Sequence, residues 1–244
     1  MKPLTPLIPL LAGLLIALTY LMVQGAAPDA GRHERTLDDL RTLILYNAAL
    51  QRDVLRARAG LLRNYDPLVA AMARLRRSAD ELTTAREVAN GEAREDIDQK
   101  VAEVKAAVSD QEALVETFKS ENALLQNSLS FFDYTSARMA TARDSPASIA
   151  MLAAAMLRFV NDPQSDAAQD VTERLDEIAR LPQAASSQPD IAALVAHGRL
   201  IVATLPKVDE LVTSLQAAST SELARALEDA YLDAHGQAAA WASV

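Results

Sequence analysis

Apolar positions divide this chain into one unbroken run and a long series of stripes. The run is Leu7-Ile-Pro-Leu-Leu-Ala-Gly-Leu-Leu-Ile-Ala-Leu-Thr-Tyr-Leu-Met-Val23, with Lys2 the only charge before it and Asp29 the first after it. About 17 residues is the lower limit for a helix crossing a hydrocarbon core about 30 Å thick. A cationic stub at the N-terminus fits the positive-inside bias. The expected order is a cytoplasmic stub at 1–6, a transmembrane helix at 7–24, a linker at 25–34 and an exported domain at 35–243. A cleaved signal peptide is the other reading, since Val23-Gln24-Gly25 before Ala26 is an acceptable cleavage pattern.

Beyond the run, the apolar period is helical. Leu40, Leu43, Asn47, Leu50, Val54, Ala57 and Leu61 keep a 3-4 spacing and predict a helix over 35–63. Asn64-Tyr65-Asp66-Pro67 stops it. Asp66 suits an N-cap and Pro67 the first helical position, so a second helix starts there and runs to Asn90-Gly91. Ile97, Val101, Val104, Val108, Gln111, Val115, Phe118, Asn122, Leu125, Leu129, Phe132, Ser136 and Met139 predict one long helix over 94–143. Asp144-Ser145-Pro146 ends it. Shorter helices follow over 146–160 and 166–181, separated by Asn161-Asp162-Pro163. The stripe from Ile191 to Leu215 is a sixth helix, which Pro206 should kink. Ser219-Thr220-Ser221-Glu222 caps a last helix carrying Leu223, Leu227, Tyr231 and Trp241.

The lengths suggest an architecture. A helix of about 50 residues is roughly 75 Å long. That is about the sum of one long and one short neighbour, so it is expected to run through two bundles. The fold class expected is all-α: an N-terminal transmembrane helix, then two stacked up-down four-helix bundles sharing one long helix. The proximal bundle would take about 35–118 plus 220–243, and the distal bundle about 119–218. The C-terminus then returns to the membrane side, which suits a second span just beyond Val244 with Trp241 near the interface.

Composition narrows the functions. The chain has no cysteine, so disulfides and Cys-ligated metals are excluded. Its formal net charge of −9, from 24 basic and 33 acidic residues, argues against nucleic acid as a partner. His33, His197 and His235 are scattered, without HxxxH or HxxH spacing. No GxSxG or Walker-type loop is present, and Asp38-Asp39 and Glu95-Asp96 diverge around their helices as surface residues. Neither a cofactor nor an enzymatic activity is expected of this chain.

Two segments carry a resemblance. Asp53-Val-Leu-Arg-Ala-Arg58-Ala-Gly60-Leu-Leu-Arg63-Asn64-Tyr65-Asp66-Pro67-Leu68 resembles the signature of the double all-alpha-helical ligand-binding (DAHL) domain, and Leu125-Gln-Asn127-Ser128-Leu-Ser-Phe-Phe132 resembles a second segment of it. The resemblance covers about 35–243. It implies a fold similar to helical bimodular sensor domains, two stacked bundles between two membrane spans. Such domains usually precede a histidine kinase or diguanylate cyclase module, which these 244 residues do not contain.

The candidate ligand-binding residues are Asn47, Arg58, Arg63, Tyr65, Asp66 and Asn122. Tyr65 and Asp66 are expected level with Phe118 to Asn122. Asn47, Gln111 and Asn122 are polar positions on apolar seams, and polar groups facing a core need partners. In the functional reading a pocket lies at the junction of the bundles, Arg58 or Arg63 meets an anion and Asn122 fixes its orientation. In the structural reading Asp66 caps a helix, Arg58 pairs with Asp53 or Asp66, and Asn122 sets register. Likewise Arg52, Arg56, Arg63, Arg74, Arg76 and Arg77 either face an acidic ligand or headgroups, or form a solvated face with Asp53, Asp80 and Glu81.

Two function classes follow. The first is the signal-input region of a membrane-bound receptor, a sensor histidine kinase, in the bacterial inner membrane with its main domain periplasmic. Its partners would be a small ligand or a periplasmic binding protein, and a second copy in a homodimer. The second is a membrane-anchored helical adaptor that binds another protein.

Overall fold

The first soluble helix, α1 (Ala30–Arg58), buries the stripe read from the sequence: Leu40, Leu43, Asn47, Leu50, Val54 and Ala57 are all inside. It stops five residues earlier than the pattern predicts. The N–H of Leu61 bonds the Arg56 carbonyl at 2.9 Å and that of Gly60 bonds Ala57 at 3.0 Å. Gly60 has φ 71°. This is a Schellman C-cap, in which glycine enters the left-handed region at low cost. The turn takes Leu61 off the stripe, and its side chain is 69% exposed.

The computed structural model describes residues 13–19, 30–62, 64–140, 147–163, 165–180 and 188–242. Among them every regular element is helical and none is a strand. The elements after α1 are α2 (Asp66–Glu81), a 3₁₀ segment (Leu82–Val88), α3 (Gly91–Ala140), α4 (Ala147–Asn161), α5 (Ser165–Arg180), α6 (Gln188–Gln216) and α7 (Thr220–Ala242).

Helix α2 begins at Asp66, with Pro67 in the first turn, where a missing N–H removes no helical bond. The single helix expected to reach 90 tightens at Leu82 instead. Thr83 and Thr84 donate their hydroxyls to the carbonyls three residues back, Asp80 at 2.9 Å and Glu81 at 3.1 Å. Such local bonds compete with the α-helical ladder and favour the tighter turn. Gly91, at φ 58°, then opens the 50-residue α3. Along α3 the buried stripe is the expected one as far as Leu125, and Phe132 and Ser136 keep it; Ser128 and Thr135 are buried as well, while Leu129 and Met139 are only half-buried. Pro206 lies inside α6, and the helix runs unbroken through it.

The chain forms two compact units. One comprises Met1–Ala49, Ala70–Asp110 and Ser219–Val244. Its core holds Leu40, Leu43, Leu75, Ile97, Val104 and Leu227, and α7 packs on the 3₁₀ segment. The other comprises Leu50–Val69 and Gln111–Ala218. Its core holds Leu50, Val54, Phe118, Leu152, Phe159, Leu175 and Leu205, with α4 on α5 and α5 on α6. The second approach is close at Gly198, where a Cβ would sit 2.6 Å from Leu175 Cδ2.

Within the apolar N-terminal run, 13–19 is helical, and Leu14, Leu15, Ile16 and Leu18 are all exposed. The rest of 7–24 and the Trp241 side chain lie outside the described residues. Among the described residues a window within Pro189–Ala240 is long and apolar enough to cross a membrane, and 44% of it is buried.

Candidate functional site

The Schellman turn and the start of α2 bring the 57–66 segment against α3 and α6 in the second unit. Asn122 is the centre of this arrangement, at 1% exposure. Its Nδ2 donates to the Ala57 carbonyl at 3.1 Å and to the Tyr65 hydroxyl at 3.0 Å. Its Oδ1 is buried and has no hydrogen-bond partner among the described residues. Rotating the amide would turn that oxygen onto the Ala57 carbonyl, two acceptors facing each other, so the orientation is chemically fixed. An orphaned buried acceptor costs about 1–3 kcal/mol, and any small donor that reaches it recovers this.

Neighbouring contacts hold the frame. Gln126, one turn along α3, donates Nε2 to the Arg58 carbonyl at 3.0 Å. Arg58 forms a two-pronged pair with Asp209 of α6, Nε to Oδ1 at 2.6 Å and Nη2 to Oδ2 at 3.3 Å. Asp209, rather than Asp53 or Asp66, is thus its acidic partner, because the early end of α1 turns Arg58 toward α6. The guanidinium is neutralised in place, and an anion would have to compete with Asp209 for it. The Asp66 carboxylate accepts from Asn64 Nδ2 at 2.7 Å. Arg63 lies outside the described residues. Asn47 belongs to the other unit, where its Nδ2 donates to Ser221 Oγ at 2.7 Å. Of the six candidates, the structure therefore brings Tyr65 and Asn122 into direct contact, with Arg58 and Asp66 on the same turn.

The described arginines of this group divide between the two units. Arg52 and Arg56 both bond Asp53, at 3.1 Å and 3.3 Å. The Arg52 hydrogen bond, against the opposing effect of burial and with help from Arg56, holds the Asp53 carboxyl below its ordinary range. Arg74 lies 6.0 Å above the Tyr46 ring, in the other unit. Asp80 pairs with Lys105.

Two features escape sequence reasoning. One is Asp209, whose role requires knowing that α1 ends at Arg58; Gly60 was the available signal. The other is an aromatic cluster in the first unit. His33 stacks on His235 with ring centroids 3.9 Å apart, and its Nδ1 lies 3.3 Å from the Tyr231 hydroxyl. His33 and His235 are apart only in sequence, since α1 and α7 bring together residues about 200 positions apart, while His197 lies in the other unit against Phe131. Among the described residues no group of three or more His, Cys, Asp or Glu side chains is placed to hold a metal ion.

The DAHL domain family matches residues 28–244, and the chain belongs to that family, a helical sensory domain rather than a catalytic one. No solved structure matches it.

Proposed function

We propose that this chain is the extracytoplasmic ligand-sensing input region of a membrane-bound receptor, a two-component sensor histidine kinase. Residues 7–24 anchor it in the bacterial inner membrane, and it works as a homodimer. The observation that carries the sensing role is membership of the DAHL family over 28–244. The exposed leucines and isoleucine at 14–18 support the anchor, because a helix apolar all round favours a protein core or a membrane and these side chains are not in the core.

The ligand site is the Asn122 carbonyl beneath the Tyr65 turn. Its occupant is a small molecule that presents a hydrogen-bond donor. Occupation would favour one position of the Tyr65 turn, and with it of the α1 end that Gln126 and Asp209 hold. A shift of that helix is the signal passed toward the membrane.

The test uses the full chain in lipid nanodiscs and a thermal-shift screen of small amines, amides and alcohols. A ligand that binds only the folded state raises the midpoint. The expected hit stabilises the wild type and not Asn122→Leu. Hits indifferent to Asn122 would move the site elsewhere. Reading the coding sequence past codon 244 tests the receptor: a hydrophobic run and a kinase module support it, and a stop codon favours an anchored adaptor.

A further inference from the structure

Helix α4 is apolar on both sides. Ile149, Leu152, Ala155, Met156 and Phe159 are buried in the second unit. Ala147, Ala150, Met151, Ala154 and Leu157 fall at 3-4 spacing on the opposite side and are exposed, Met151 by 53% and Leu157 by 65%. From Ala147 to Leu157 the helix has no ionisable side chain, and Arg158 is the first. Helices α1 to α3 and α5 to α7 each present both acidic and basic residues at exposed positions. An uncharged outer face on a strongly acidic chain is a surface suited to another molecule.

The rim of this face is charged. An open cleft of about 560 Å³ lies between α4 and α5, and its lining includes Leu157, Arg158, Asp162 and Asp166. Arg158 bonds Asp170 at 2.7 Å, and its side chain is 68% exposed. Asp170 also holds Arg174 at 2.7 Å, so it keeps a cation when Arg158 swings away. Asp162, one turn after Arg158, is exposed, and its carboxylate pairs with no cation among the described residues. The rim thus carries a cation that can be spared and an anion that lacks one.

We propose that the outer face of α4 is a contact between two copies of this chain, packed in parallel, with Arg158 of each meeting the partner's Asp162. Charge selects the occupant. Two copies at −9 each repel over most of their surface, and this face lets them approach without opposing carboxylates. Charge also sets the direction. Parallel packing brings the two rims together, and a two-fold axis makes the Arg158–Asp162 pair twice. In an antiparallel pair Arg158 would lie beside the uncharged first turn of its partner. The alanines let the two backbones approach, and Met151 and Leu157 fill the grooves between them.

The size of the patch sets its strength. Ala147 to Leu157 rises about 15 Å along the axis of a helix about 10 Å across, a patch on the order of 150 Å². A stable interface buries roughly 800 Å² per partner. The contact is therefore weak in solution and forms once the anchors confine both copies to one membrane, where their effective concentration is high. It rests on the anchored homodimer proposed above and names the surface through which the copies meet.

The chain has no cysteine, so single cysteines can be introduced without background. The full chain is reconstituted in lipid vesicles, and disulfide formation is followed on non-reducing gels after mild oxidation. Met151→Cys and Ala154→Cys, each facing its own copy across the two-fold axis, should form dimers several-fold faster than Glu177→Cys, an exposed control on α5. Adding Leu157→Glu to Met151→Cys should remove that excess. In the same background Arg158→Asp and Asp162→Arg should each slow the reaction and together restore it, a rescue that loss of folding cannot give. Counting copies by single-molecule photobleaching in the same vesicles separates this contact from the homodimer reading. Dimers whose α4 cysteines react no faster than the control overturn the contact and keep the homodimer; monomers overturn both. A Met151→Cys that forms no disulfide yet is shielded from maleimide assigns the face to the bilayer or to another protein, and overturns the contact as well.

Discussion

Tyr65 and Asn122, 57 positions apart, meet at 3.0 Å, the tyrosine hydroxyl accepting from the amide nitrogen while the amide oxygen beside it has no donor among the described residues. One side chain is thus satisfied on its nitrogen and unsatisfied on its oxygen, and substitutions at the two positions should act with different signs. Tyr65→Phe removes an acceptor and should cost about 1 kcal/mol, an ordinary hydrogen bond. Asn122→Leu removes the orphan, and the Ala57 carbonyl it releases still receives the Gly60 N–H. That variant should be neutral or more stable by about 1 kcal/mol. Urea unfolding of the two variants checks both signs. Destabilisation of Asn122→Leu by well over a kcal/mol would mean that Oδ1 has a partner.

The C-cap of α1 gives a second prediction. Gly60→Ala puts a side chain on a left-handed residue, which costs about 1–2 kcal/mol, and its Cβ would approach Gln126 Oε1 to 3.1 Å. Gly60→Asn should cost less, because asparagine tolerates that conformation. Thermal melts ordered wild type, Asn, Ala would agree; alanine above asparagine would contradict the turn.

Arg58 and Asp209 form a partly exposed pair, at 20% and 36% side-chain exposure. Solvent screening limits its worth to about 1 kcal/mol despite the two-pronged geometry. A double-mutant cycle with Arg58→Gln and Asp209→Asn should return a coupling of that size, reduced in 1 M salt. A coupling near zero would remove Asp209 as the anchor of this end of α1.

The carboxyl and imidazole groups predict a shaped pH profile. Burial first, then the neighbouring acidic groups Glu81 and Asp38, let the folded chain hold the Asp39 proton to about pH 6. Its stabilising effect is complete below the ordinary 3.8 and lost as pH rises through about 6. Burial, then the charge of His33, depresses His235 in the folded state, so the unfolded chain binds protons more readily and stability falls as pH drops below its ordinary 6.5. Asp53 is depressed too, and its contribution disappears as pH falls below 3.8. Melting temperatures from pH 4 to 8 should show Asp39→Asn gaining more at pH 7 than at pH 4, and His235→Phe gaining more at pH 5 than at pH 8. Parallel profiles for all three proteins would refute the assignment.

At Gly198 the helices α5 and α6 meet with no room for a methyl group. Gly198→Ala gains about 1 kcal/mol of helix propensity but must displace the fully buried Leu175. Overpacking costs about 1–3 kcal/mol, so alanine should be neutral to mildly destabilising and valine clearly worse by thermal unfolding.

Much of this was legible. Stripe positions such as Leu40, Val54, Phe118 and Leu205 are in the core because a 3.6-residue period leaves a bundle helix one face to bury. Pro67 announced the start of α2, and counting residues placed Tyr65 at the level of Asn122. What failed was local competition and long-range pairing. The threonine hydroxyls at 83 and 84 tighten the chain where periodicity alone continues an α-helix. Gly60 ends α1 although the apolar spacing runs on to Leu61. No spacing rule could join His33 to His235 or Arg58 to Asp209, because each pairing exists only once separate helices have packed.

Pro206 offers a last consequence. It has no amide hydrogen, so the Val202 carbonyl one turn earlier lacks its helical donor, although α6 continues on both sides. The ladder of bonds along α6 therefore has a missing rung with Thr204 and Leu205 buried beside it. A helix built this way can flex at that rung while the stretches on either side stay wound, so a small local rearrangement would re-aim one half of α6 without melting either.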